Sequence, residues 1–365
     1  MNILYVTFSL TIGGIEKLLV DIVNTAATRR NSKIYLCIIN KKYDEYLINK
    51  IKQNVKVIIL DRPVGGSKLK YIIKYTKSVI KNNIDIIHCQ CENSVKFSLL
   101  CKIIKPKIKI FTTVHDTQIY LRLKKYETVI DKFVCKKIIA ISEAVRKEIL
   151  SRGIPESKVV RIYNAIDLKK FKSDKEEKRV DKNKFIIGNV SRLMPEKKGQ
   201  DILIKAISKL KEENYNIECL FAGEAPIEEN DNLEKLKKIC EEWGVKENIK
   251  FLGNVYDIPK LLSSIDIFVM PSRYEGFGIA LIEAMAKGVP CVASNIDGPK
   301  EIIRNNEYGM LFESENYYDL ADKIKYIIKN IDKMKSDEIQ KYVISNFNIE
   351  SMMENLYKVY EITAS

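Results

Sequence analysis

The sequence predicts an α/β protein made of two doubly wound parallel-sheet domains facing each other across a cleft. Three observations predict it. Short apolar runs alternate with amphipathic stretches along the chain, and the runs are continuous in Val, Ile and Leu rather than alternating with polar residues. Such strands are buried on both faces, as in parallel sheets covered by helices. The pattern restarts after a charged segment, Lys169–Lys184, and 365 residues suffice for two cores.

In the first half, Asn2–Phe8, Lys33–Ile39, Val55–Leu60, Ile84–His88, Ile108–His115 and Ile138–Ser142 read as strands, with helices such as Ile15–Arg29 and Lys68–Lys81 between them. In the second half the strands are Phe185–Val190, Ile217–Ala222, Ile249–Leu252, Ile267–Met270 and Val289–Ala293. Ser345–Thr363 reads as a closing helix. The expected division is an amino-terminal domain over 1–170, a linker over 171–184, a second domain over 185–345, and a terminal helix over 346–365 crossing back to the first domain. Ligands of doubly wound sheets bind at the carboxyl ends of the strands, beside helix starts.

Composition narrows the function classes. The hydrophobic fraction of 46% belongs to a globular protein. Every apolar run is broken by Lys, Asp or Asn before it could span a bilayer. The opening MNILYVTFSLTIGG has no basic leader and reads as a strand, not a signal peptide. Eight scattered cysteines without a C-x-x-C suggest reduced thiols of a cytoplasmic protein. Two histidines and no D-x-D pair supply a metal site poorly, so no metal and no cofactor are expected. Net charge is +14, unevenly spread. Residues 1–180 hold 37 Lys+Arg against 17 Asp+Glu, hence +20, whereas the remainder holds 25 against 31, hence −6. A lysine-rich genome explains abundant lysine but not its confinement to one half. That half is expected to face an anionic partner.

The stretch SRYEGFGIALIEAMAKGVP, 272–290, carries the most chemistry. Ile267–Met270 is a strand, Pro271–Phe277 a loop, and Gly278 or Ile279 starts a helix. Unbonded N–H groups at such a start, with the helix dipole, attract phosphate oxygens. Gly276 and Gly278, flanking Phe277, let backbone approach a ligand. Glu275 and Glu283 would repel a bare phosphate. They make sense if they accept hydrogen bonds from hydroxyls at either end of a diphosphate, Glu275 from a sugar and Glu283 from a ribose. The structural alternative is an acid favouring the helix dipole by ~0.3–1 kcal/mol and a surface acid further along.

EGFGIALIEAMAKGVP with its spaced glutamates resembles the donor motif of family-four glycosyltransferases, which have the GT-B fold and retain anomeric configuration. The resemblance runs through nearly the whole chain: GGIEK (13–17), TVHD (113–116), IYNAID (162–167), GNVSRLMPEKKGQDILIKA (188–206), FAGE (221–224), FLGNV (251–255) and DGPKEII (297–303) follow in order. It implies that the second domain holds a nucleoside-diphosphate sugar and the first recognises the acceptor. Donor contacts are then expected from Gly13, Gly14, Gly223, Asn254, Val255, Gly276, Phe277, Gly278, Ile279 and Glu283, and catalytic roles from His115, Arg192, Lys197, Lys198 and Glu275.

Fixed cations beside a departing phosphate stabilise the transition state more than the ground state. Arg192 and a lysine are expected to do this in place of a metal. Spacing from Arg192 favours Lys197 and adjacency to Gly199 favours Lys198, so both stand. Gly13-Gly14 is too short for a G-x-G-x-x-G fingerprint, and a tight strand-to-helix turn explains it equally well. The resemblance puts this turn against the diphosphate. His115, followed by Asp116, lies at a sheet's carboxyl edge; the resemblance implies a positioning contact with the donor sugar. His88 reads as a core or cleft-wall residue. Basic amphipathic stretches at Lys68–Asn82 and Lys124–Lys137 suit weak attachment to an anionic membrane surface, each basic residue adding ~1 kcal/mol. The alternative is a helix packed on the sheet with its lysines in water.

The expected function is a retaining, metal-independent glycosyltransferase acting on a glycan or lipid-linked acceptor, cytoplasmic or peripheral on the membrane. A nucleotide-sugar epimerase of the same architecture is the rival enzyme. A nucleic-acid-binding protein comes last, because only charge supports it and no nucleic acid partner is expected.

Overall fold

The computed structural model describes residues 1–29, 32–63, 65–66, 68–171, 184–226, 229, 231–304, 307–334 and 336–362. The chain forms two compact units, Met1–Ala165 with Ile349–Ser365, and Ile166–Asn348.

The first unit carries a seven-stranded parallel sheet: β1 (Asn2–Thr7), β2 (Lys33–Asn40), β3 (Val55–Arg62), β4 (Ile86–Cys89), β5 (Lys109–Val114), β6 (Cys135–Ala140) and β7 (Val159–Arg161), in the order β3-β2-β1-β4-β5-β6-β7. β2, KIYLCIIN, is buried at every position but its first, as a strand covered on both faces must be. The helix Gly14–Ala26 buries Leu18, Leu19, Ile22, Val23 and Ala26, and the helix Ile349–Ile362 packs against it.

The second unit has a six-stranded parallel sheet: β8 (Phe185–Val190), β9 (Ile217–Ala222), β10 (Ile249–Phe251), β11 (Ile267–Met270), β12 (Cys291–Ser294) and β13 (Met310–Phe312), in the order β10-β9-β8-β11-β12-β13. Its core joins Ile187, Phe221, Ile267 and Val292 of the strands to Leu203, Ile207 and Leu210 of the helix Gln200–Glu212.

Several boundaries differ from the sequence reading. β7 and β13, three residues each, are too short to stand out as apolar runs. β6 stops at Ala140 because Ser142 instead caps the helix Glu143–Ser151, its hydroxyl accepting from the Val145 N–H at 3.2 Å. β12 begins at Cys291 rather than Val289, since Pro290 has no N–H to give a ladder. β5 ends at Val114, so His115 is the first residue of the following loop. Residues 166–171 group with the second unit, not the first: the Ile166 N–H donates to Phe347 O at 3.0 Å, and Phe171 is buried. The expected linker, 171–184, falls at 172–183 outside the described residues. All eight cysteines are free thiols and seven are buried.

Candidate functional site

The second sheet reverses its strand order between β8 and β11, so the loops leaving these strands flank its switch point. The loop after β11 feeds the helix Ile279–Ala286 through Gly278, which has φ 115 and offers no side-chain cap. Glycine alone adopts that conformation readily. The first helical bonds run from the Leu281 and Ile282 N–H groups to Gly278 O. The N–H groups of Ile279 and Ala280 have no hydrogen-bond partner among the described residues. Gly276, Phe277 and Gly278 are buried. The buried Phe277 ring meets Phe347 edge-on, centroids 5.6 Å apart, which anchors the loop in the core of the second unit. Behind the loop, the helix Asp297–Ile302 approaches so closely that a Cβ on Gly298 would lie 2.3 Å from the Phe277 Cα. The Gly298 N–H donates to Glu275 O at 3.2 Å.

The loop after β8 brings the cations. Ser191 and Arg192 are held by Gln200, whose Nε2 donates to the Ser191 hydroxyl at 2.9 Å and to Arg192 O at 2.8 Å. Arg192 itself is exposed. The short helix Pro195–Lys198 then carries both candidate lysines and ends at Gly199 with φ 65. The Arg273 and Tyr274 N–H groups both donate to Lys197 O, at 2.8 and 3.3 Å. The Lys198 ammonium meets the Glu275 carboxylate at 2.6 Å, with both side chains less than one-fifth exposed. A cation and a carboxylate from two different loops thus converge beside an uncapped helix start. Glu283 is half-buried further along that helix.

Gly223 follows β9 with φ 141, and a Cβ on it would sit 2.1 Å from Ser191 O. Its N–H donates to Gly253 O at 2.7 Å, which ties the loops after β9 and β10 together. Asn254 and Val255, both half-buried, follow Gly253 on this carboxyl edge. Among the described residues no cluster of three His, Cys, Asp or Glu side chains is arranged to hold a metal ion.

In the first unit the switch point lies between β1 and β4. Gly13 caps the helix Gly14–Ala26 with φ −178, extended backbone that any residue adopts, so the turn does not depend on glycine there. His88 is buried in the core. Its Nδ1 lies 2.5 Å from the Tyr360 hydroxyl and its Nε2 2.7 Å from the Thr113 hydroxyl. Burial, helped by the nearby His115, pushes its pKa down to about 3. The His115 Nε2 lies 2.9 Å from Gln90 Oε1. Burial brings its pKa down to about 4, against an opposing pull from Asp116. Both rings are therefore neutral at pH 7. His115, Gln90, Cys91, Tyr120 and Asp131 line a cavity of about 30 Å³, room for a water or a hydroxyl. Gln90 escaped the sequence reading; its place immediately after β4 is the signal that could have found it.

Both units thus carry a doubly wound parallel sheet, and in the second an uncapped helix start lies among cations and carboxylates near the switch point, where ligands of such sheets bind. Residues 12–170 match the family model described as Glycosyltransferase Family 4, and residues 170–344 match that described as Glycosyl transferases group 1. The chain belongs to this family of GT-B glycosyltransferases. It is similar to an uncharacterised glycosyltransferase of Methanocaldococcus jannaschii, 33% identical over 245 residues that cover 61% of this chain and 60% of that one. It is also similar to the poly(ribitol-phosphate) alpha-N-acetylglucosaminyltransferase of Staphylococcus aureus, 25% identical over 83% of this chain and 61% of that one. The matches thus span about three-fifths of these two relatives. Among solved structures, Anabaena HepE, crystallised with UDP and glucose, superposes with a TM-score of 0.87 over 99% of both chains at 22% identity.

Proposed function

We propose that this chain is a retaining, metal-independent glycosyltransferase that moves a sugar from a nucleoside-diphosphate sugar to a glycan or lipid-linked acceptor. The observation that carries the reading is the Lys198–Glu275 pair set beside the unbonded N–H groups of Ile279 and Ala280. A diphosphate lies against that helix start, where backbone donors and dipole favour negative charge. Glu275 accepts from hydroxyls of the sugar and Glu283 from those of the ribose. As the bond from the anomeric carbon to the phosphate oxygen breaks, its electron pair leaves with the nucleoside diphosphate. Arg192 and Lys197 or Lys198 stabilise the charge that grows there. The acceptor oxygen bonds to the same face of the anomeric carbon and gives its proton to the leaving phosphate. Retention follows from that same-face attack. The rival epimerase reading gains no support from the family to which the chain belongs.

The acceptor side of the proposal rests on the first unit. Ile103, Val129 and Phe133 are exposed there, Phe133 by 76%, on helices that also carry Lys102, Lys125 and Lys132. Exposed apolar side chains amid lysines suit a weak hold on an anionic membrane surface, where a lipid-linked acceptor would be met. No helix among the described residues is long and apolar enough to cross a membrane.

A thermal-shift screen of nucleoside diphosphates and their sugars tests the reading. A ligand at a hundred times its Kd adds ~2.7 kcal/mol of stability. That raises the melting temperature of a unit this size by roughly 5–10 °C. If no nucleotide or nucleotide sugar shifts it, the donor site does not exist.

A further inference from the structure

Arg273 is two residues before Glu275, and its side chain is taken up by Pro195, Asp201 and Glu315. Its guanidinium uses all five of its N–H donors. Nη1 donates to Pro195 O at 2.6 Å and to Asp201 Oδ1 at 2.7 Å. Nη2 donates to Asp201 Oδ2 and to Glu315 Oε2, both at 2.9 Å. Nε pairs with Glu315 Oε1 at 2.6 Å. A guanidinium so saturated has no donor left for a ligand. The two carboxylates hold its pKa above the ordinary arginine value, so it is a permanent cation.

These contacts join three separate parts of the second unit. Pro195 opens the helix that carries Lys197 and Lys198, Asp201 is in the first turn of the helix Gln200–Glu212, and Glu315 precedes the helix Tyr317–Lys329. The backbone adds two more ties between the same loops. Lys197 O takes both the Arg273 and Tyr274 N–H groups, and Gly199 lies so close to Pro271 that a Cβ would be 1.9 Å from its carbonyl oxygen. Lys198 is therefore held between two anchored neighbours, and Glu275 lies two residues beyond an anchored arginine, past Tyr274 whose N–H is also tied to Lys197 O. That is why their side chains meet at 2.6 Å although 77 residues separate them.

We infer that Arg273 is a positioning residue for the donor site: its fork onto Asp201 and Glu315 sets where Lys198 stands against Glu275, and through the lysine the affinity for the diphosphate. The inference rests on the proposed function, since it assumes that a nucleoside diphosphate binds beside these two side chains. Without the guanidinium, Asp201 and Glu315 are left as unneutralised carboxylates, and the loop loses its side-chain tie to the lysine-bearing helix.

The experiment measures UDP binding by calorimetry in wild type, in Arg273→Met, in Lys198→Ala/Glu275→Ala, and in the triple variant, with melting temperatures alongside. Arg273→Met is expected to weaken UDP binding tenfold or more in the wild-type background and to have no further effect once Lys198 and Glu275 are gone, because it acts through them. A folded Arg273→Met with unchanged affinity overturns the inference. So does an equal loss in both backgrounds, which would mark a merely structural role. If Arg273→Met does not fold, Asp201→Asn, which keeps the arginine and one side of its fork, is put through the same cycle under the same criteria, with about threefold weakening expected. Should wild type bind neither UDP nor any other nucleoside diphosphate, the proposed function fails first, and that outcome is distinct from wild-type binding that Arg273 does not influence.

Discussion

Replacing Gly298 with alanine tests whether the backbone geometry of the helix start is what binds the donor. The new Cβ would lie 2.3 Å from the Phe277 Cα, 2.5 Å from its O and 2.6 Å from its N. Ordinary contact begins at 3.4 Å, so the two backbones must part by 3.4 − 2.3, about 1 Å. None of the obstructing atoms belongs to a side chain that could swing aside. Overpacking of this kind costs ~1–3 kcal/mol. In a unit of this size that lowers the melting temperature by roughly 2–4 °C for each kcal/mol. The functional cost is larger, because Phe277 lies between Glu275 and the N–H groups of Ile279 and Ala280. A displacement of about 1 Å at reacting groups reduces turnover ~10²-fold. The assay is a melting curve together with UDP affinity and initial rates at saturating donor. Expected is a fold that survives with a modest loss of melting temperature, at least tenfold weaker UDP binding, and a large fall in rate. A Gly298→Ala protein with wild-type affinity and rate would show that the loop tolerates the shift, and the argument from backbone position would be refuted.

Arg192→Ala should lower turnover ~10²-fold or more, the scale of removing one preorganised charge-stabilising donor, and near-normal rates would take Arg192 out of the mechanism. Activity should persist in a strong chelator; complete loss restored by magnesium or manganese would contradict the proposed use of Arg192 and the lysines in place of a metal. Sedimentation with phosphatidylglycerol vesicles should carry the protein down at low salt and less at high salt, and Phe133→Ser should weaken this, whereas indifference to vesicles would remove the membrane surface from the proposal. His88 and His115 are neutral when folded, with pKa values of about 3 and about 4 against 6.5 for the free side chain. Below pH 6.5 the unfolded chain therefore binds protons that the folded chain refuses, and stability falls as pH drops toward 4, by up to ~1.4 kcal/mol per pH unit for each histidine. His88→Gln removes one of the two, so its melting temperature should vary less between pH 6.5 and pH 4; an unchanged slope would mean that His88 is not buried neutral.

Much of the second unit was legible in the sequence because its signals are local. β8, β9 and β11 are mostly apolar runs, followed by Ser191, Gly223 and Pro271, and their observed limits are those the runs suggest. The helix start at Gly278 and Ile279 follows from the glycine and the apolar stretch behind it. What stayed hidden depends on distant partners. The carboxylate partners of Arg273 lie far off in the sequence; the fold brings up Asp201, 72 residues away, and Glu315, 42 residues away. His88 gave no sign that its ring would meet a hydroxyl 272 residues further along. Nothing local to Gln90 says that its amide oxygen would face an imidazole. The short edge strands β7 and β13 owe their conformation to the neighbour they pair with, not to their own three residues.

The first unit is assembled from two stretches of chain that lie on either side of the second, and this sets the order in which a ribosome can finish them. Residues 166–348 form one uninterrupted unit and have all their own strands once Asn348 has emerged. The earlier-made sheet must wait for Ile349–Ile362, which closes over Gly14–Ala26 and delivers the Tyr360 hydroxyl to His88. During synthesis the second unit thus matures before the first. A nascent chain stalled just short of Ile349 would carry a completed second unit and a first sheet with one greasy flank uncovered, the form most exposed to chaperones and to aggregation.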